Sequence, residues 1–206
     1  MGGKDKPPIK LRAACPAFEE GIVFARYLDE AAEGFFRFML GKRVGQIIAK
    51  AYTQPAHDLS FQNVTFAERN NLIVGMVSGY TAEQHSSSSR IPLKQAAGKN
   101  NIRMRIVLAL FAPLMRIIDS MADGDFYLQA IAVDKDQRGS GIGSVLADYI
   151  EEQARLRGST RLALDVSSSN VGASQFYKRR GMTVTSQWPK QLKVPKLKFY
   201  RMTKTL

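Results

Sequence analysis

The stretch that most limits what this chain can fold into runs from Val133 to Ser144 and reads Val-Asp-Lys-Asp-Gln-Arg-Gly-Ser-Gly-Ile-Gly-Ser. It joins a predicted strand, Phe126 to Val133, to a predicted helix, Ser144 to Arg157, which Gly158 ends. Glycines at such a joint let the backbone approach a ligand closely and adopt dihedral angles that a Cβ forbids. The helix N-terminus adds unpaired N–H groups and a partial positive charge. The sequence therefore predicts a pyrophosphate site and a nucleotide-like cofactor.

The glycine spacing excludes two common phosphate-binding motifs and fits a third. A Walker loop requires Lys and Ser/Thr after its last glycine, whereas Gly143 is followed by Ser144 and Val145. A dinucleotide fingerprint requires glycine where Ser144 stands. The pattern Arg138-x-x-Gly141-x-Gly143 resembles the acetyl-coenzyme A signature of the GNAT superfamily of N-acetyltransferases, Gln/Arg-x-x-Gly-x-Gly/Ala. Taken alone, this short pattern leaves an ordinary glycine-rich turn as the alternative.

A second signature follows in the expected order. The alternating segment Arg161 to Val166 predicts a strand. It is followed by residues that resemble the second GNAT signature, in which an Asn near a strand end precedes a helix carrying Ala, an aromatic pair and a closing Gly-Phe. Met182 stands where the Phe is usual. The residues that carry this resemblance are Asn170, Ala173, Phe176, Tyr177, Gly181 and Met182. With both signatures, the chain is identified as a member of the GNAT superfamily over roughly residues 126 to 185.

The resemblance implies an α/β (α+β) fold with a mixed, mostly antiparallel central sheet. About six or seven strands are expected, flanked by helices and splayed at the cofactor groove, with a helical insertion before the cofactor-binding strand. Residues 1–8 are interpreted as an N-terminal tail and residues 9–206 as a single domain that contains an insertion at about 84–121.

Periodicity outside the signatures predicts further elements. Apolar residues at helical spacing predict helices, alternation predicts strands, and Arg69-Asn70-Asn71 predicts a hairpin turn. The predicted elements are strand Ile9–Ala14, helix Phe18–Met39 ending at Gly41, helix Val44–Ala51, the hairpin Asn63–Glu68 with Leu72–Tyr80, and the final strands Met182–Trp188 and Leu197–Met202.

The insertion has a polar half and an apolar half. Gln84 to Asn101 contains a four-serine run and is predicted to be a mobile loop. Ile102 to Met121 is strongly apolar, but it is too short for a membrane span and Pro113 interrupts it. Three interpretations stay open for it: a helix packed on the domain, a substrate lid or dimer contact, and a membrane-surface helix.

The resemblance implies direct transfer of an acetyl group from acetyl-coenzyme A to a primary amine, with no covalent enzyme intermediate and no metal. Backbone pairing with the pantetheine arm is expected from Ile131, Ala132 and Val133, while Arg138 adds charge or braces the loop. Asn170 is expected to contact the cofactor, with a plain helix N-cap as its structural alternative. The pyrophosphate is expected on the backbone of Gly139, Ser140, Gly141, Ile142, Gly143 and Ser144.

Tyr177 is the expected general acid for the departing thiolate, and the alternative is a core aromatic beside Phe176. Asp165 is the expected general base. It stands where bacterial ribosomal-protein N-terminal acetyltransferases have a glutamate, so its chain is one methylene shorter. The alternative for Asp165 is a carboxylate satisfied by backbone or by an arginine. Glu68, Gln129 and Glu83 are the reserve polar candidates on the acceptor side.

The charge and composition of the chain limit the classes of substrate, cofactor and partner that it is expected to bind. The net charge of +12 suits a phosphate-rich cofactor and disfavours a polycationic substrate. Basic and aromatic residues alternate near the C-terminus, which raises nucleic-acid binding as an alternative, and a non-catalytic coenzyme A-binding module is another. One cysteine, Cys15, and two distant histidines, His57 and His85, predict neither a disulfide nor a metal site. No signal peptide is evident, so a cytoplasmic enzyme is expected, with the acceptor (small molecule, protein N-terminus or lysine) and a homodimer left open.

Overall fold

The computed structural model describes residues 7–112, 121–188 and 198–206. These residues form a seven-stranded sheet in the order β1-β2-β3-β4-β5-β7-β6, in which only the β4–β5 pair is parallel. The expected mixed, mostly antiparallel sheet is therefore confirmed. The strands are β1 Lys10–Ala13, β2 Val64–Arg69, β3 Leu72–Thr81, β4 Asp125–Val133, β5 Arg161–Ser167, β6 Thr183–Trp188 and β7 Phe199–Thr205. The last predicted strand pair lies where expected, although Leu197 is outside the described residues.

Helices cover both faces of the sheet. Those described by the structure are α1 Phe18–Ala31, α2 Phe35–Leu40, α3 Val44–Tyr52, α4 Ala82–Ser86, α5 Ile91–Ala97, α6 Asn101–Leu110, α7 Ile142–Leu156 and α8 Val171–Arg179. None of them is long and apolar enough to cross a membrane.

The predicted continuous helix over residues 18–39 is wrong, because the chain turns between α1 and α2. Glu33 and Gly34 have φ angles of 53° and 85°, which lie outside the helical region. The Gly34 N–H donates to the carbonyl oxygen of Asp29 at 2.7 Å, and the Asp29 carboxylate then accepts from the Arg37 N–H at 2.8 Å. Apolar spacing continues through the turn, so periodicity alone misses it.

The insertion is more ordered than its composition indicates. The stretch predicted to be a mobile loop holds α4 and α5, and α4 starts with a capping box between Thr81 and Gln84. α6 follows and buries Met104 and Val107 against α2 and α5. Pro113 and most of the apolar half after it lie outside the described residues. The helical nature of the insertion is confirmed for residues 101–110.

Two apolar clusters lie on opposite faces of the sheet. Met76 packs with α1, α3 and α6, whereas its neighbour Val77 packs with α7. Adjacent residues of a strand point to opposite faces, so the cluster with α1 and the cluster with α7 sandwich the sheet. This arrangement brings the C-terminal ends of α1 and β4 and the N-terminus of α7 to one edge of the molecule.

Candidate functional site

The central feature of the site is the place where β4 and β5 part. These parallel strands pair only from Asp125↔Arg161 to Tyr127↔Ala163, although β4 continues to Val133 and β5 to Ser167. Beyond Tyr127, the edge of β4 that faces β5 pairs with no other described strand. Ile131, Ala132 and Val133 lie on this stretch and use their other edge to pair with β3. The parted strands form a groove whose one wall is the backbone of β4.

A β-bulge lies at the inner end of this groove. Ser78 of β3 pairs with Ala130, but the next residue, Gly79, pairs with Leu128, so Gln129 is the extra residue. A bulge leaves a backbone group unpaired and changes which face the following side chains occupy. Phe126 and Leu128 pack with α7, whereas Ala130 and Ala132 pack with α1. The bulge is not among the sequence predictions, although the polar Gln129 within an apolar strand and Gly79 inside the facing strand are signals for it.

The glycine loop leads into α7, which begins at Ile142, two residues before the predicted start at Ser144. Gly139 and Gly141 have φ angles of 76° and 86°, and a Cβ built on either would meet no atom within 4 Å. Ser144 donates its N–H to the Gly141 carbonyl at 3.0 Å, and Ser140 donates weakly to Gln137. Four N–H groups of the loop and first turn have no acceptor in the described part of the chain: those of Gly139, Gly141, Ile142 and Gly143. The loop is therefore open and rich in unused donors, as an anion site requires.

Arg138 braces this loop against α1. Its Nη2 lies 2.6 Å from Glu30 Oε1 and its Nε donates to the Val133 carbonyl at 3.2 Å. A second ion pair joins Arg26 to Asp134 at 2.8 Å. Both contacts tie the C-terminal half of α1 to the segment between β4 and the glycine loop. Of the two roles considered for Arg138, bracing is the one its contacts match.

Asn170 and Tyr177 lie on the other side of the groove. Asn170 caps α8, because its Oδ1 accepts from the Ala173 N–H at 3.0 Å. Tyr177 packs against the apolar cluster of α7, and its hydroxyl has no hydrogen-bond partner among the described residues. Burial raises the pKa of Tyr177 to about 12. Phe176, rather than Tyr177, packs beside the glycine loop. A Cβ built on Gly143 would lie 3.9 Å from the Phe176 ring.

Asp165 is held by three hydrogen bonds. Arg201 of β7 binds it in a bidentate manner, with Nε 2.7 Å from Oδ1 and Nη2 2.8 Å from Oδ2. Tyr127 of β4 donates its hydroxyl to Oδ2 at 3.0 Å. Only 7% of each charged side chain is exposed. This trio, here called the Asp165 staple, joins three strands just beyond the last β4–β5 pair.

The Asp165 staple lies on the sheet face away from α7. Leu164 and Val166, the neighbours of Asp165, pack with α7, so alternation directs Asp165 to the other face. Tyr127 follows the same rule, since Phe126 and Leu128 flank it. Desolvation by burial, followed by the charge of Asp165, raises the pKa of Tyr127 well above its ordinary value.

The three reserve polar candidates for the acceptor side, Glu68, Gln129 and Glu83, do not lie together. Glu68 is paired with Arg12 at 2.8 Å on β2. Glu83 lines a cavity of about 600 Å³ beside the start of β4, together with Asp58 and His85, whose Nδ1 lies 2.9 Å from Asp58 Oδ2. Only Gln129 lies at the groove. Within the described residues, no three His, Cys, Asp or Glu side chains are grouped so that they could hold a metal ion.

The chain is similar to a known protein family over most of its length. The sequence matches the family described as Acetyltransferase (GNAT) family over residues 24–182, which is more than half of the chain. A curated relative, an uncharacterized N-acetyltransferase of Methanocaldococcus jannaschii, is 39% identical over 69 residues. That match covers 32% of this chain and 30% of the relative, so the chain spans under a third of the relative's length in this alignment.

Solved structures share the fold. An acetyltransferase crystal structure is similar with a TM-score of 0.64 and 21% identity, covering 95% of this chain and 98% of its own. An N-acetyltransferase from Staphylococcus aureus Mu50 is similar with a TM-score of 0.65 and 17% identity, covering 95% and 100% of the two chains. At these identities the likeness concerns the fold alone.

Proposed function

The chain belongs to the acetyltransferase (GNAT) family, and from this membership we propose that it is an N-acetyltransferase that transfers an acetyl group from acetyl-coenzyme A directly to a primary amine. The observation that carries the proposal is the open groove between β4 and β5, with a glycine loop at its mouth whose N–H groups lack acceptors. The family generally uses this donor, and the residues present at the groove suit it.

The glycine loop supplies the features that a pyrophosphate needs. The unused N–H groups of Gly139, Gly141, Ile142 and Gly143 are donors at a helix N-terminus, where the helix dipole favours an anion. The open space at Gly139 and Gly141 lets a phosphate approach the backbone. We propose that Arg138 holds the loop in place through its ion pair with Glu30. Asn170 caps α8, so both residues support the site without contacting the pyrophosphate.

The edge of β4 that lines the groove suits the pantetheine arm and the thioester of acetyl-coenzyme A. The edge of β4 that faces away from β3, along Ile131, Ala132 and Val133, offers backbone amide groups to the pantetheine arm. The bulge at Gln129 leaves a backbone group without a strand partner at the inner end of the groove. An N–H in that place would polarise the thioester carbonyl and stabilise the oxyanion that forms when the amine attacks.

Tyr177 is the proposed acid. In the transfer, the nitrogen–carbon bond forms and the carbon–sulfur bond breaks. The attacking nitrogen gives up one proton to water, and the leaving sulfur needs one. A tyrosine whose pKa is about 12 is protonated at neutral pH, and its hydroxyl is not committed to another described group. It therefore carries a proton that can be placed on the sulfur as the carbon–sulfur bond breaks.

We assign Asp165 a positioning role instead of the role of base. Its two oxygens accept three hydrogen bonds from Arg201 and Tyr127. A base must offer a lone pair to the amine, and these contacts engage the carboxylate within the protein. By joining β4 to β5 just past their last pair, the Asp165 staple would set the width of the groove at its inner end.

An acceptor screen tests the proposed function. Purified enzyme is given acetyl-coenzyme A and a panel of primary amines, peptides with free N-termini and lysine peptides, and release of the coenzyme A thiol is measured together with the mass of each acceptor. The proposal predicts a mass increase of one acetyl group with one thiol released per acceptor. Thiol release that is independent of any amine would contradict it.

A further inference from the structure

An exposed aliphatic stripe runs along α6. Ile102, Ile106 and Leu110 are 70%, 56% and 71% exposed. They are spaced four residues apart, so they share one side of the helix. The opposite side holds Met104 and Val107, which are buried against the domain. α6 is thus apolar toward the protein and also apolar toward the outside, and the second of these faces has no partner in the described part of the chain.

Basic side chains accompany the stripe. Between residues 84 and 112 the chain has no aspartate or glutamate. Arg103 and Arg105 flank the stripe on α6, and Arg103 donates to the Phe38 carbonyl at 3.1 and 2.7 Å. This contact holds Phe38, which is 50% exposed, beside the helix. The lysines and arginines of residues 84–112 are Arg90, Lys94, Lys99, Arg103 and Arg105. We call Phe38, Ile102, Arg105, Ile106 and Leu110 the α6 outer face.

The combination of aliphatic and basic side chains indicates which kind of partner can bind the α6 outer face. In a two-fold dimer each patch meets its own copy, so Arg103 and Arg105 would approach arginines with no acidic partner from residues 84–112. Nucleic acid would satisfy the arginines but would leave three aliphatic side chains unused. An anionic lipid surface satisfies both, because acyl chains take up the aliphatic stripe and headgroup charges attract the arginines.

We propose that the α6 outer face docks the enzyme on an anionic lipid surface. The helix would lie in the plane of the headgroups, with Ile102, Ile106 and Leu110 directed into the acyl boundary and Arg105 at the headgroup level. The proposal is independent of the acetyl donor and acceptor, because the α6 outer face contains no residue assigned to the groove.

Vesicle co-sedimentation tests the proposal. The full chain is mixed with vesicles of phosphatidylcholine alone, or with one-third of the lipid replaced by phosphatidylglycerol. The bound fraction of wild type is compared with that of Ile106→Ser/Leu110→Ser and of Arg105→Gln. Leu156→Ser is the matched control, since Leu156 is also a 70% exposed aliphatic residue but lies at the end of α7. Sedimentation velocity without lipid is run on every variant.

The proposal predicts binding to the anionic vesicles only, a loss of at least about tenfold in the double-serine variant, and a smaller loss in Arg105→Gln that grows as salt is lowered. Leu156→Ser should bind as wild type does. Three results would overturn it: unchanged binding by the double-serine variant, an equal loss in Leu156→Ser, or a wild-type dimer that the double-serine substitution converts to a monomer.

Discussion

Replacing Arg201 by methionine removes the arginine from the Asp165 staple while keeping a long apolar side chain. The Asp165 carboxylate would then be buried with only the Tyr127 hydroxyl as a donor, because two of its three hydrogen bonds come from Arg201. Both charged side chains are 7% exposed, so water offers little compensation. Breaking a buried ion pair by removing one partner costs about 3–5 kcal/mol.

The expected thermal effect follows from the size of the protein. For chains of this length, 1 kcal/mol changes the melting temperature by roughly 2–4 °C, so a loss of about 3–5 kcal/mol in Arg201→Met should lower it by about 6–20 °C. Tyr127→Phe removes one hydrogen bond to a charged group and should cost about 1.5–3 kcal/mol. Arg26 is half exposed in its ion pair with Asp134. Arg26→Met should therefore lower the free energy of unfolding by less than about 1 kcal/mol.

Denaturant unfolding, followed by circular dichroism, measures these differences, and steady-state kinetics on the same samples separates stability from catalysis. The positioning role predicts that Asp165→Asn and Tyr127→Phe both reduce acetyl transfer while the pH dependence of kcat/KM keeps its shape. An Asp165→Asn enzyme of wild-type stability that keeps only residual activity and has lost the acidic, ascending limb of its pH profile would refute the reasoning and return Asp165 to the role of base.

Three further changes have defined outcomes. Tyr177→Phe should lower kcat by about 10²–10⁴ with little change in coenzyme A binding, and wild-type activity should not fall on the alkaline side below about pH 10, since the pKa of Tyr177 is about 12. Burial lowers the pKa of His57 below 6.5, so the unfolded chain binds more protons in acid and the free energy of unfolding should fall as the pH drops below 6.5. Gly79→Ala should destabilise the fold by about 1–3 kcal/mol, because its Cβ would lie 2.5 Å from the Phe126 ring.

Each of the predictions for Tyr177, His57 and Gly79 has its own control or contradicting result. Full activity in Tyr177→Phe would remove the acid role. The acid-side loss of stability should shrink in His57→Gln, and an unchanged pH dependence would show that other groups cause it. Gly172→Ala serves as the reference for Gly79→Ala, because a Cβ on Gly172 meets no atom within 4 Å; equal effects of the two changes would contradict the packing argument.

The sequence was most informative where local chemistry alone determines the structure. Gly139 and Gly141 need positive φ angles, the hairpin turn needs residues such as Asn70 and Asn71 that tolerate them, and both are visible in the residue types. The strand–glycine loop–helix unit and the β2–β3 hairpin were therefore predictable, whereas the mostly antiparallel sheet was expected from the GNAT resemblance.

Features that depend on contacts distant in sequence were not predictable. Asp165 and Arg201 are 36 residues apart, and nothing local shows that β5 and β7 bring them together. The bulge at Gln129 arises from pairing with β3, and the break after α1 uses Glu33, an uncommon residue at positive φ. The polar stretch of residues 84–101 resembled a loop because its helices are stabilised by packing, α4 against β3 and β4 and α5 against α3, and not by their own propensity.

The most direct measurement is calorimetric binding of acetyl-coenzyme A to wild type and to Gly143→Glu. Gly143 has an ordinary helical φ, and a Cβ there meets only ordinary contacts, so the fold should survive while a carboxylate enters the anion site. Gln153→Glu is the matched control, with the same charge change about 15 Å along α7. The account predicts binding by wild type and Gln153→Glu and a loss of at least about tenfold, or 1.4 kcal/mol, in Gly143→Glu. Equal affinities in all three proteins, or no binding by wild type, would contradict it.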